Sequence, residues 1–149
     1  MNRLLTPQQM SQAEKASEAL GVSLWELMQN AGAQLARAVE RAAARIGAKN
    51  ILLLCGSGNN GGDGSVCASL LADKFDISAA YVCGEPKTEL AKKAFALLDR
   101  EKVKIITENV DFGGSDIVVD CIFGTGFHGE FRENIQFLMS RFARSDTYK

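Results

Sequence analysis

Polar and apolar positions follow two regimes along the chain. Up to residue 46 the apolar residues recur at helical spacing; from residue 50 short unbroken apolar runs alternate with amphipathic stretches. Thr6-Pro7-Gln8-Gln9 opens a first helix: Thr6 caps it, Pro7 suits the first helical position, and Gln9 reaches back to the cap. That helix should end near Leu20-Gly21. Ser23-Leu24-Trp25-Glu26 is a second capping box, and Leu24, Leu27, Met28, Ala31, Leu35, Ala38, Val39, Ala42 and Ile46 form the apolar stripe of a helix ending near Gly47.

The run at 50–55 (NILLLC) is apolar without alternation, as expected of a strand buried on both faces. A glycine-rich loop at 56–62 follows, then a helix over about 63–75 with Val66, Leu70 and Leu71 inward. Residues 77–82 read as a second strand, and 88–101 as a helix capped by Thr88 with Leu90, Ala94 and Leu97 on one stripe. Strands at 103–106 and 116–123 and a last helix at about 131–142 complete the pattern. Alternating strands and helices predict a three-layer α/β/α, Rossmann-like fold with a mostly parallel sheet, preceded by two N-terminal helices. Ligands of such sheets bind at the carboxyl ends of the strands, which places the loops 56–64 and 124–130 at the candidate site.

Composition narrows this only a little. With 149 residues, 46% hydrophobic and 23% charged, the chain fits one globular domain. A net charge of −1 and a pI near 5.9 supply no cationic excess for nucleic acid or anionic lipid. No apolar run spans a bilayer, and MNRLLTPQQM lacks the apolar core and cleavage site of a signal peptide, so a cytoplasmic protein is expected. Cys55, Cys67, Cys83 and Cys121 form no CxxC pair, and one His is present, which disfavours a thiolate metal site. Three of the thiols read as strand or strand-end residues packed as small hydrophobes in a reducing compartment.

The first loop, Gly56-Ser57-Gly58-Asn59-Asn60-Gly61-Gly62-Asp63-Gly64, contains G-x-G-x-x-G between a strand and a helix. Glycines there let the backbone approach a ligand, and the helix start offers free N–H groups to a phosphate. A dinucleotide oxidoreductase would add an acid at the end of the second strand, for which Glu85 is the candidate, but that template leaves Asn59-Asn60 and Asp63 unexplained. Two amides and a carboxylate offer hydrogen bonds and oxygen ligands for a hard cation; the competing reading makes Asp63 the helix N-cap. In the second loop, Asp120 stands in an apolar segment, where a carboxylate must be paired, hydrogen-bonded or bound to a cation, or else simply hold the neighbouring loop. Gly124 and Gly126 allow a turn beneath a phosphate, and the lone His128 reads as a solvent-facing side chain.

The first loop resembles the GxGNNGGDG signature of the YjeF N-terminal domain family, the NAD(P)H-hydrate epimerases. Asp120-Cys121-Ile122-Phe123-Gly124-Thr125-Gly126 is similar to that family's D-x-hydrophobic-FGTG segment, and Leu27-Met28-Gln29-Asn30-Ala31-Gly32 to its M-x-x-AG helix. The resemblance covers nearly the whole chain in the right order. It implies an isomerase of nicotinamide nucleotide repair that interconverts the R and S hydrates of NADH and NADPH. An ADP- or ATP-dependent dehydratase, in some chains fused, then restores the cofactor. It implies substrate contacts by Asn59, Asn60, Gly61, Gly62 and Asp63 and by Gly124, Thr125, Gly126, Phe127, His128, Gly129 and Glu130. It also implies a potassium ion on Asn60 and Asp120, a possible homodimer, and no nucleic-acid or membrane partner. Asp63 is the candidate for a catalytic group near the reacting end.

The family pattern continues into a Val-Asp-x-Pro-Ser-Gly strand that supplies an acid/base Asp and a further potassium ligand. No Pro-Ser-Gly occurs before Lys149, and Asp146 lacks the surrounding motif. On the sequence alone the chain therefore reads as one domain over 1–149, incomplete at its C-terminus, with weak or absent activity and an open sheet edge if nothing follows. The alternatives are a non-catalytic nucleotide-binding or scaffold domain of the same fold and, less favoured, an NAD-dependent oxidoreductase.

Overall fold

The computed structural model describes residues 5–148; the first four residues, part of the segment read above for a signal peptide, and Lys149 lie outside the described residues. The elements run α1 (Pro7–Ala19), α2 (Leu24–Ile46), β1 (Asn50–Cys55), α3 (Asn59–Leu71), β2 (Asp76–Tyr81), α4 (Glu89–Ala96), β3 (Val103–Ile106), β4 (Ile117–Cys121) and α5 (Glu133–Arg144). The strands form one parallel sheet in the order β3-β2-β1-β4. After β1 the chain builds outward through β2 and β3, then returns to the other side of β1 as β4. The β1/β4 boundary is therefore the point where strand order reverses, and sheets of this kind bind their ligands beyond the carboxyl ends at such a point.

Both faces of the sheet are covered. Ile51, Leu53, Cys55, Ile77, Ala79, Tyr81, Val103 and Ile117 point to one core, closed by α2 and α3. Leu52, Leu54, Ala80, Val118 and Ile122 point to the other, closed by Leu138 and Phe142 of α5 and by Val110 and Phe112. This two-sided burial is why β1 carries no polar alternation. At the base, Asp116 accepts hydrogen bonds from the Lys49 and Asn50 amides, 2.8 Å each, and is held below its usual pKa chiefly by the Asn50 amide and next by that of Lys49. Tyr148 pairs with β4 as a parallel bridge to Ile117, its carbonyl accepting the Val118 N–H at 2.9 Å.

Both N-terminal capping boxes form as the sequence predicts, at Thr6/Gln9 and Ser23/Glu26, and Gly47 ends α2 in the left-handed region at φ 70°. α1 buries none of its residues. Several boundaries differ, including the end of α3 at Leu71 rather than near residue 75. α3 begins at Asn59, so most of the expected loop is the helix's first turns, and Gly58, not Asp63, is the N-cap. α4 stops at Ala96 because Asp99 turns the chain: its Oδ1 accepts the Glu101 N–H at 2.9 Å and its carbonyl the Val103 N–H at 2.9 Å. β4 stops at Cys121 because the Ile122 N–H bonds to Asp120 Oδ1 at 2.9 Å instead of continuing the ladder. α5 begins two residues late because Phe131 is held in an aromatic stack.

The buried stripe of α2 also differs from expectation. Met28, Gly32, Ala36, Val39 and Ala43 are buried, while Leu24 and Ile46 are exposed. Small residues dominate because α2 lies close against α3: a Cβ at Gly32 would come within 2.6 Å of Val66 and 2.9 Å of the Asp63 carbonyl.

Candidate functional site

Both glycine-rich segments emerge at the β1/β4 switch point and touch. Cys55 and Cys121 are paired in register, and the Gly56 N–H donates to the Cys121 carbonyl at 3.0 Å. A Cβ at Gly56 would lie 1.9 Å from the Ile122 carbonyl oxygen. Further out, a Cβ at Gly124 would sit 3.4 Å from Asn60 Cβ and 3.7 Å from its Oδ1, so the Asn60 carboxamide packs on the second loop. The contact the sequence reading depends on, residues 58–63 against 120–126, is present. Asn59, Asp120, Gly124, Thr125, Gly126, His128, Gly129 and Glu130 are exposed around it, and Asn60, Asp63 and Phe127 are half-buried.

The glycines of the first segment serve a different purpose from the one expected. Gly61 presses on the Gly56 carbonyl, Gly62 between Met28 and Ala91, and Gly64 between Cys55 and Cys121. They let the first turns of α3 pack against protein, leaving Gly58 as the glycine of the run with open space on its Cβ side. Ser65, fully buried, donates to the Gly61 carbonyl at 2.9 Å and lies 2.8 Å from the Tyr81 hydroxyl. Since the Ser65 proton goes to Gly61, Tyr81 is the donor in that second bond. Met28 and Gly32, the buried points of the M-x-x-AG helix, are the residues that receive Gly62 and Asp63, which accounts for a motif the sequence left without a reason.

Asp63 sits at the fifth position of α3. Burial, and next the negative charge of Glu14 on α1, raise its carboxyl from 3.8 to about 6. A carboxyl in that range holds and releases protons near neutral pH. The Cys55 thiol, pushed up to about 12 by burial and then by Cys67, stays protonated behind the loop. Asp120 is exposed at the strand end rather than sunk in an apolar segment as expected; Oδ1 is tied to Ile122, leaving Oδ2 toward solvent. In the second loop Gly129, at φ 101°, takes the left-handed conformation. Phe127 stacks on Phe131 at 4.9 Å and meets Phe123 at a tilt, 4.2 Å between centroids, so it braces the loop from within. Glu85 is exposed on the turn after β2.

Sequence reasoning missed the wall formed by that turn. The Val82 N–H donates to the Cys55 carbonyl at 3.1 Å and the Lys87 N–H to the Ser57 carbonyl at 2.7 Å. Thr88, read only as a helix cap, also donates to Asn59 Oδ1 at 2.6 Å.

A parallel α/β sheet with a helix N-terminus and two juxtaposed glycine segments at its switch point defines the class: a doubly wound, Rossmann-like α/β domain. The family described as YjeF-related protein N-terminus matches residues 25–149. The chain is 34% identical over 152 residues to an NAD(P)H-hydrate epimerase of Nitrosopumilus maritimus, covering 97% of this chain and 70% of that protein. It is also 34% identical over 142 residues to the bifunctional NAD(P)H-hydrate repair enzyme Nnr of Methanospirillum hungatei, covering 89% of this chain but only 29% of that protein. The crystal structure of yeast ynu0, YNL200c, superposes with a TM-score of 0.81 at 26% identity, covering 96% of this chain and 65% of that one. The chain belongs to the YjeF N-terminal family, and it spans 29% to 70% of the length of these relatives. None of its helices, among the described residues, is long and apolar enough to cross a membrane.

Proposed function

We propose that this chain is an NAD(P)H-hydrate epimerase domain, interconverting the R and S hydrates of NADH and NADPH. The observation that carries the reading is the packing of Asn60 on Gly124, which joins the two family segments at one rim of the sheet, with Asp63 three residues further along the same helix. The epimerase and repair-enzyme names of the relatives support it, and the bifunctional ones make an ADP- or ATP-dependent dehydratase, separate or fused, the expected pathway partner.

The free N–H groups at the start of α3 and the exposed backbone of residues 124–130 would receive the pyrophosphate. Asp63 would take a proton from the hydrated ring and return it as the C6 configuration inverts through bond opening and reclosure. The loop chemistry fits a potassium ion: the Asn60 carboxamide oxygen and the free Asp120 oxygen are hard donors at the joined segments. When bound, the ion would supply fixed positive charge against the ligand's phosphates.

The test mixes this chain with a hydrate dehydratase and a mixture of the R and S epimers of NADPH hydrate. The dehydratase alone should stop after consuming the S form. With the chain present the R form should follow, at unchanged total redox state. Failure to draw down the R form defeats the proposal. For the ion, Asp120→Asn keeps an acceptor for the Ile122 amide but removes the charge. Its half-saturating potassium concentration should rise about tenfold or more, a loss of roughly 1.4 kcal/mol. The upward shift of Tm that potassium gives the parent chain should disappear over the same range. Equal potassium responses in both proteins would take Asp120 off the ion.

A further inference from the structure

Two adjacent asparagines open α3, and the structure gives them different surroundings. Asn60 turns its carboxamide onto Gly124. Asn59 turns its own toward α4, where Thr88 Oγ1 accepts the Ala91 N–H at 3.2 Å and donates its single proton to Asn59 Oδ1 at 2.6 Å. The hydroxyl is thus fully committed, and it fixes which way round the Asn59 amide sits. With Oδ1 satisfied by Thr88, the exposed Nδ2 hydrogens are what Asn59 offers to a ligand. The turn carrying Thr88 cannot drift from the loop, because the Lys87 N–H is held by the Ser57 carbonyl at 2.7 Å and Gly84 makes the left-handed bend at φ 81°.

We propose that Thr88 is a positioning residue that locks Asn59 as a hydrogen-bond donor to the phosphate of the dinucleotide, leaving Asn60 as the oxygen-presenting partner of the pair. The proposal deepens the epimerase reading and rests on it for the ligand. The physical reason for the division is sign: a phosphate beside the N-terminus of α3 needs donors, and a neighbouring cation needs acceptors. A free carboxamide can rotate to present either end, whereas one whose oxygen is held by Thr88 keeps its N–H end for the ligand.

The discriminating substitution is Thr88→Asp. Aspartate is as good an N-cap as threonine and still accepts the Ala91 amide, but it cannot donate to Asn59. The amide should turn over, giving its N–H to the new carboxylate and its oxygen to the ligand. We expect an unchanged Tm, KM for the NADPH hydrate raised about tenfold, and kcat altered by less than about twofold. Calorimetric Kd for NADP+ should weaken by the same factor, while the half-saturating potassium concentration stays put. Thr88→Ser, which keeps both bonds, should restore KM, and Asn59→Asp should reproduce the binding loss. A Thr88→Asp protein with parental KM and NADP+ affinity, a defect confined to kcat, or a parent chain with no measurable NADP+ affinity overturns the proposal. Loss of NADP+ affinity in Thr88→Asp without any epimerisation by the parent would instead leave this lock standing and remove the epimerase reading.

Discussion

Gly56→Ala and Gly61→Ala should each cost on the order of 3 kcal/mol or more, and either should leave the chain largely unfolded at moderate denaturant. In both cases the new methyl would meet a backbone oxygen at 1.9 Å: Ile122 O for residue 56 and Gly56 O for residue 61. Neither glycine can back away. The Gly56 N–H is bonded to the Cys121 carbonyl at 3.0 Å, and the Gly61 carbonyl is bonded to the buried Ser65 hydroxyl at 2.9 Å. Gly58→Ala is the control. It has φ −98° and nothing within 4 Å of its Cβ position, so it should stay within about 1 kcal/mol of the parent. Chemical denaturation of the three variants measures the contrast; equal losses at 56, 58 and 61 would mean the glycines matter only for backbone freedom. The same three proteins separate packing from ligand approach, since Gly58 has room on its Cβ side and the other two have none.

That contrast marks where the sequence stopped being informative. The motif glycines are plain in the sequence, but the same letters serve close backbone approach to a ligand and close backbone approach to protein. Only the third dimension tells Gly61, wedged under Gly56, from Gly58. β1 was legible because a strand buried on both faces must be apolar where it is buried, and residues 51–55 are. The stripe of α2 was misread for a related reason. Large apolar residues drew attention to Leu24 and Ile46, which are exposed, whereas close approach of α2 to α3 is made by Gly32, Ala36 and Ala43. Pairing of the two loops was legible as an expectation from the parallel-sheet pattern. The strand order that produces it depends on non-local pairing and carries no local signature. Thr88 shows the same limit: its cap is local and was read, and its bond to Asn59 spans 29 residues and was not.

Asp63→Asn should make the folded chain more stable at neutral pH and a far poorer catalyst. Burial, with Glu14 as the second cause, raises the carboxyl from 3.8 to about 6 in the folded state. Between those values the native protein keeps a proton that the unfolded chain has released. Stability therefore falls as pH rises through that window and is level above it. An asparagine never acquires the charge, so its protein should gain on the order of 1 kcal/mol near pH 7, a figure kept small because the carboxyl is partly solvated. The two stability curves should converge below about pH 4. Turnover should move the other way, falling by roughly 10²- to 10⁴-fold if the carboxylate transfers the proton. In the parent, kcat/KM should rise with pH through about 6 and then level off, because the ionised form is the base. Glu14→Gln removes the second cause and keeps the first, so the midpoint should move only part of the way down. A variant that is stabilised yet turns over normally would make Asp63 a strained but idle residue. One that is destabilised at neutral pH would show the carboxylate to be better solvated than its half-buried place on α3 implies.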